Sequence, residues 1–289
     1  MPDTGIPTTS RYSGLRGSYV LYREAFVRCL PLALIGGLLL GLIQLSAPAL
    51  PIQRTLDAVN AVDLNTLSDS DMAQWTDLAQ QWRVSLLGPA ALRADALGML
   101  SYLWLYYALA LELHARAVGS SGARMTVRSL AGLPGLVAGA LAWLAATSLG
   151  LAPLLLPDAM QVLMVLLLPV LTVLSVYLSV KWQFWLPAMV VHELGPLSAL
   201  RRSFGLTRGR WWWSAAELTM ALIVIGIITL LADALVDLAP GGAVPGLKSP
   251  RWWLDIFATA LLLPLVPAAL LAIYYRLQEL YAARPVPIA

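Results

Sequence analysis

Six long apolar runs, separated by polar segments, dominate the hydrophobic pattern of this chain. A hydrocarbon core about 30 Å thick is crossed by about 20 helical residues, and each run is about that long. The pattern therefore predicts an all-α integral membrane protein with six transmembrane helices. The predicted spans are residues 29–47, 94–113, 130–156, 159–180, 213–238 and 252–275.

The polar segments predict how these spans are connected. Residues 1–28 form a cytoplasmic, partly interfacial N-terminal segment, residues 29–276 the six-span domain, and residues 277–289 a cytoplasmic tail. Apolar residues recur at helical spacing in the acidic segment 48–85, which predicts an outer-surface helix between helices 1 and 2. Residues 181–212 predict a cytoplasmic amphipathic elbow between helices 4 and 5.

Basic residues set the expected orientation, because cytoplasmic segments of membrane proteins are enriched in lysine and arginine. With the N-terminus inside, the cytoplasmic segments hold Arg11, Arg16, Arg23, Arg28, Arg116, Arg124, Arg128, Lys181, Arg201, Arg202, Arg208, Arg210, Arg276 and Arg284. The outer segments hold Arg54, Arg83, Arg93, Lys248 and Arg251. Both termini are therefore expected in the cytoplasm.

Composition supports a membrane protein over other classes. The chain is 59% hydrophobic and 12% charged, whereas soluble domains are about 25% charged. One cysteine and two histidines indicate neither a disulfide framework nor a Cys- or His-built metal site. The net charge of +3 is explained by arginines concentrated on the predicted cytoplasmic side of the membrane, so no nucleic-acid partner is expected. A cleaved signal peptide is the alternative for the first run, but an uncleaved anchor is favoured.

The elbow carries the candidate binding residues. The Gly195-Pro196 break opens a segment in which Leu197, Leu200 and Phe204 share one helical face. The candidates for binding lipid headgroups are Lys181, Arg201, Arg202, Arg208 and Arg210. Guanidinium groups pair well with phosphate, which would suit anionic lipids. The alternative is that these cations only enforce the topology.

Acidic and small residues in the spans allow two interpretations each. Glu217 lies where Arg210 or Lys181 could pair with it, while Asp233, Asp237 and Asp255 lie near the outer ends of spans. These carboxylates could serve a cation pathway, but a position at headgroup level is favoured. The Gly37-x-x-x-Gly41 and Gly135-x-x-x-Gly139 spacings predict close contacts within the bundle rather than a dimer.

No catalytic motif is present in the chain. Nucleotide loops, a nucleophile elbow and the zincin pair of histidines are missing, and Ser203 and Thr207 have no identifiable base. The sequence therefore predicts a protein that is not an enzyme and needs no cofactor.

The elbow resembles a family of bacterial inner-membrane proteins, the YciC-type proteins and the membrane domain of some glycerophosphodiester phosphodiesterases. The shared pattern comprises Leu186-Pro187-Ala188, Glu193, Gly195, Ala199-Leu200, Arg202-Ser203, Leu206 and Gly209. The resemblance implies a multi-pass protein of the inner membrane; the phosphodiesterase activity belongs to a domain that this chain lacks.

Two functions are consistent with these patterns. The favoured hypothesis is a scaffold or lipid-associated module of the bacterial cell envelope. The alternative is a permease-like transport component that docks a cytoplasmic protein partner through the elbow. Transport would need a polar path at mid-bilayer, and the spans show little polarity there beyond aromatic, serine and threonine side chains.

Overall fold

The structure is a computed structural model that describes residues 9–46, 55, 75–78, 80–81, 88–119, 129–147, 161–238 and 249–283. Every regular element within these ranges is a helix. A 3-10 helix, Thr9–Tyr12, comes first. The larger α-helices are α1 Gly14–Ser46, α2 Pro89–Ala117, α3 Leu133–Thr147, α4 Gln161–Trp182, α5 Trp185–His192, α6 Pro196–Leu206, α7 Trp211–Asp237, α8 Pro250–Leu262 and α9 Leu265–Ala282.

The predicted all-α membrane class is confirmed. Five described stretches are long and apolar enough to cross a membrane: Gly14–Ser46, Pro89–Ala117, Leu167–His192, Trp211–Asp237 and Pro250–Ala282. The apolar part of α3 is shorter, and the rest of the predicted third span extends beyond the described residues. The predicted third span, 130–156, and with it the total of six spans, therefore stays a prediction. Most of the predicted outer helix also lies outside the described residues.

The core of the bundle lies between α1, α2 and α9. The middle of α9 is almost fully enclosed, with Leu271, Ile273 and Tyr274 all inaccessible to solvent. α1 packs against α2, α8 and α9 through a face of small residues that includes Ala25 and Ala33. Small side chains let helix backbones approach closely, and this contact is how apolar helices associate without a hydrophobic driving force between them.

The glycine motifs act within the bundle, as predicted. A Cβ atom at Gly37 would lie 2.9 Å from the Ile256 carbonyl oxygen, and one at Gly41 would lie 2.9 Å from the Ile256 side chain. A Cβ atom at Gly139 would lie 2.4 Å from the Trp185 ring. These positions require glycine because another helix of the same chain occupies the space of the missing side chain.

One flank of the bundle is formed by α7, most of whose side chains are exposed in the isolated chain. Leu218, Ala221 and Val236 are its buried apolar residues, whereas Leu222, Ile227 and Leu230 are exposed. A helix that is apolar all round is covered either by protein or by lipid. α7 therefore presents a face suited to the hydrocarbon of a bilayer.

Two of the spanning stretches are broken helices. α8 and α9 meet at Leu263 and Pro264, and α4 and α5 meet at Gln183 and Phe184. Pro264 lies at the first break and Pro187 lies in the first turn after the second. Proline has no N–H to donate and clashes with the preceding turn, so it interrupts the helix just before it.

Antiparallel packing gives the bundle two chemically different ends. Gly98 of α2 lies near Ile43 of α1, and Gly41 of α1 lies near Trp252 of α8. Gln44, Asp95 and Asp255 therefore belong to one end, which we call the acidic end. Tyr12, His114 and Gln278 belong to the opposite end, which we call the basic end.

Candidate functional site

A helix break at the predicted elbow is bridged by one serine. The Ser203 hydroxyl of α6 donates to the Lys181 carbonyl oxygen at 2.7 Å and accepts from the Phe184 backbone N–H at 3.2 Å. Both backbone groups lie where α4 ends and α5 begins, so normal helical partners are interrupted there. Ser203 is completely buried. Its side chain thus replaces helical hydrogen bonds and fixes α6 to the bundle.

The predicted cytoplasmic elbow, residues 181–212, contains two helices in different surroundings, α5 and α6. Residues 185–190 of α5 are buried and pack against α2, α6 and α9. Pro187 has no N–H to donate to the Gln183 carbonyl oxygen, which lies at the break between α4 and α5, and the chain nevertheless stays within the bundle. The exposed, charged part of the elbow therefore begins only at the end of α5, with Glu193.

Of the three apolar residues that share the predicted face of α6, only Leu200 is buried in the bundle. Ala199, Leu200, Ser203 and Leu206 are buried, whereas Leu197 is 66% and Phe204 is 39% exposed. The hydrogen bonds of Ser203 set the rotation of α6 about its axis. As a result Leu200 is enclosed, whereas Leu197 and Phe204 are exposed. The arginines at 201 and 202 then lie on the exposed side.

The five predicted headgroup cations fall into different environments. Arg201, Arg202 and Arg208 are exposed, and Arg210 is half-buried as the residue before α7. Lys181 is only 3% exposed. Its ammonium nitrogen lies 5.5 Å from the centre of the Tyr177 ring and 4.7 Å from that of Phe204. Aromatic rings attract a cation at such distances, so Lys181 belongs to the packing of the elbow.

Glu217 is not paired with either predicted partner within the part of the chain that the structure describes. Its Oε2 atom is buried without a hydrogen-bond partner there, and Lys181 is directed to the aromatic rings instead. Trp211 joins the start of α7 to α4, because its indole N–H donates to the Tyr177 carbonyl oxygen at 3.2 Å. Tyr177 and Trp211 are stacked, with ring centres 5.9 Å apart.

The remaining elbow residues shape the backbone. Glu193 ends α5 in the left-handed conformation at φ 54°, and Gly209 adopts φ 74° in the turn before α7. Left-handed backbone suits glycine but costs a residue with a side chain free energy. Gly195 precedes Pro196, which occupies the first turn of α6, where its missing N–H costs nothing.

Polar contacts that the sequence analysis did not identify join the elbow to the core. His192 Nε2 lies 2.6 Å from Gln278 Nε2, and His114 Nδ1 lies 2.7 Å from the Tyr275 hydroxyl. Both pairs join residues far apart in the chain, so spacing along the sequence carries no signal of them. They place the end of α5 and the end of α2 against α9.

The N-terminal 3-10 helix adds a further polar contact to the basic end. Tyr12 donates its hydroxyl to Glu24 at 2.8 Å, and Arg11 forms an ion pair with the same carboxylate. Burial and the neighbouring Glu24 raise the pKa of Tyr12. Tyr12 therefore remains a hydrogen-bond donor throughout the neutral pH range.

The hydroxyl groups of the elbow are engaged in holding its backbone in place. The Ser203 hydroxyl is occupied by two backbone groups, and the Thr207 hydroxyl donates to the Ser203 carbonyl oxygen at 3.0 Å. Among the described residues, no group of three or more His, Cys, Asp or Glu side chains could hold a metal ion.

The long apolar helices define the class: this is an α-helical, multi-pass membrane protein. The chain belongs to the family described as a domain of unknown function, DUF7847, which matches residues 97–277. That match includes most of α2, the whole elbow and most of α9. No curated protein and no solved structure matches the chain.

Proposed function

We propose that this protein is a non-enzymatic, lipid-associated scaffold of the bacterial inner membrane, with α6 at the anionic surface of the cytoplasmic leaflet. The observation that carries the proposal is the two-sided character of α6. Its buried side is fastened by Ser203, while Arg201 and Arg202 are exposed on the other side. Juxtamembrane basic residues are attracted to anionic lipid by about 1 kcal/mol each.

The proposal includes six spans with both termini in the cytoplasm. The arginine asymmetry of the sequence supports this orientation. The clustering of exposed arginines on α6 is consistent with it, because α6 would then meet the leaflet that carries more negative charge. The earlier resemblance to YciC-type inner-membrane proteins agrees with this location and stays a prediction.

Cysteine labelling tests the orientation. In a Cys29→Ala background, a cysteine at Gln80 is expected to react with an impermeant thiol reagent added to intact cells, because residue 80 is exposed and belongs to the predicted outer segment. A cysteine at Ser198, exposed on α6, is expected to react only after the membrane is permeabilised. The reverse pattern would contradict the orientation.

Lipid co-purification tests the role of the arginines. Replacing Arg201, Arg202 and Arg208 together with glutamine is expected to weaken association with anionic lipid by up to about 3 kcal/mol. The loss should be larger at low salt than at high salt, because ions screen exposed charges. The measurement is the ratio of anionic to zwitterionic lipid retained through purification across a salt series.

Arg93→Gln is the matched control, since Arg93 is exposed at the acidic end. It is expected to leave the retained lipid unchanged. If the triple variant also retained its anionic lipid at low salt, the arginines would serve only to set the topology, and the lipid-associated function would be withdrawn.

A transport component is the second candidate, and the two helix breaks favour it. Many transporters bind their substrates where spanning helices are interrupted near the membrane midplane. Here α4–α5 and α8–α9 are both interrupted, and α5 packs against α9. Exposed arginines on α6 would then dock a cytoplasmic partner. Solute accumulation by vesicles containing the purified protein would favour this function over the scaffold.

A further inference from the structure

A cavity of about 680 Å³ opens between the helices towards the acidic end. It is lined by α1, α2, α3, the α4–α5 junction, α8 and α9. Cavities of about 300–1,000 Å³ with mostly apolar walls and a few polar groups are typical of small-molecule sites. The volume and composition of this cavity are those of a binding site for an organic ligand.

The charged side chains that line the cavity are all acidic among the described residues. Asp95 of α2 and Asp255 of α8 contribute carboxylates, and none of the described lining residues is basic. Neither carboxylate has an ion-pair partner among the described residues. Arg251, one turn before Asp255, lies close enough to influence it but forms its ion pair with Asp237, and Asp233 adds a further negative charge near Asp255.

The lining changes character with depth. Asp95 lies less than two turns from the start of α2, and Tyr102 and Tyr106 follow it along the same helix. Trp143 and Trp185 also line the cavity, and Trp185 approaches α3 at Gly139. A charged group is thus available near the helix ends and aromatic surface lies further along. Aromatic rings and carboxylates both attract cations.

We infer that this cavity binds a lipophilic organic cation, whose positive centre is held by Asp95 and Asp255 and whose apolar groups contact Tyr102, Tyr106 and Trp185. An inorganic cation would leave the aromatic walls unused, and an anionic lipid would bring its charge against two carboxylates. The site is distinct from the arginines of α6 and does not depend on the function proposed for them.

Tetraphenylphosphonium and tetraphenylborate test this inference, because they have nearly the same shape and opposite charges. The full-length protein is placed in nanodiscs of zwitterionic phosphatidylcholine, and binding is measured by equilibrium dialysis against empty nanodiscs. Tetraphenylphosphonium is expected to bind saturably at one site per chain, and tetraphenylborate is not. Equal binding of the two probes, or no saturable binding of the cation, would overturn the inference.

Charge variants locate the site. Asp255→Asn and Asp95→Asn keep the side-chain volume, and the double variant is expected to weaken tetraphenylphosphonium binding by about tenfold or more. Asp77→Asn is the matched control, since Asp77 is an exposed acid that does not line the cavity. A double variant that bound the cation as tightly as the unchanged protein would contradict the assignment.

A steric variant tests the same site without changing charge. Gly98 lines the cavity, and a Cβ atom there would lie 3.8 Å from Ile43, an ordinary contact. Gly98→Phe is therefore expected to fold and to abolish saturable binding of the cation, whereas Gly226→Phe on α7 should bind as before. Thermal unfolding of each variant verifies folding. Binding retained by a folded Gly98→Phe protein would place the ligand elsewhere.

Discussion

Replacing Gly37 with leucine is expected to disrupt the bundle, whereas the same change at Gly226 is expected to be tolerated. At Gly37 the new Cβ atom would lie 2.9 Å from a backbone oxygen of α8 and 3.3 Å from the Ala260 side chain. Backbone cannot move aside cheaply, and overpacking a core costs about 1–3 kcal/mol or more. We expect a loss near or above the top of that range.

The two glycines form a matched pair because both lie within long apolar helices and receive the same substitution. Nothing lies within 4 Å of a Cβ atom built at Gly226, and leucine is a better helix former than glycine. Thermal unfolding in detergent, followed by tryptophan fluorescence, measures both variants. Equal melting temperatures would show that the contact between α1 and α8 is looser than the structure has it.

Replacing Ser203 with alanine is the second change with a large expected effect. It leaves the Lys181 carbonyl oxygen and the Phe184 N–H without the partner that they share. A buried polar group that loses its partner costs about 1–3 kcal/mol. With two such groups, we expect a loss of about 2–4 kcal/mol in the free energy of unfolding.

Hydrogen exchange distinguishes this local mechanism from general destabilisation. In Ser203→Ala, the backbone amide of Phe184 and peptides of α6 should exchange faster, while peptides of α9 should be protected as before. Ser198→Ala is the control, because Ser198 is exposed on the same helix. Faster exchange spread evenly over the bundle, or none at all, would contradict the bridging role of Ser203.

The positions of the spans could be predicted because hydropathy is a local property of the chain. The predicted fifth span, 213–238, and the helix α7, Trp211–Asp237, differ by two residues at the start and by one at the end. α1 is less well predicted, since it begins at Gly14, before the apolar run. Its amphipathic first turns are helical because Leu21 and Ala25 pack into the core.

The helix breaks were harder to predict than the spans. Pro169 and Pro187 both follow apolar residues of the same stretch, yet Pro169 lies inside α4 and only Pro187 follows a break. The two prolines differ in whether a side chain elsewhere in the chain bonds to the backbone at the break. Ser203 supplies hydrogen bonds to the backbone near Phe184, and no local rule indicates that a serine nineteen residues away will do so.

The elbow likewise has features that the sequence predicts and features that tertiary contacts decide. Periodicity predicts a short helix after Gly195-Pro196 with Leu197, Leu200 and Phe204 on one face, and of these only Leu200 is buried in the bundle. The observed face is decided by a tertiary hydrogen bond. Lys181 was grouped with the exposed arginines because its charge is visible in the sequence, whereas its burial between Tyr177 and Phe204 depends on the path of α6.

The helical membrane class follows from local sequence, because the length of an apolar run can be matched to the thickness of a bilayer without reference to other parts of the chain. Tertiary structure decided which glycines are indispensable, which cations are exposed and where Asp95 and Asp255 share a cavity. Each of these depends on which helices lie side by side. In an apolar solvent that choice is made by close packing and a few buried hydrogen bonds, whose partners are distant in sequence.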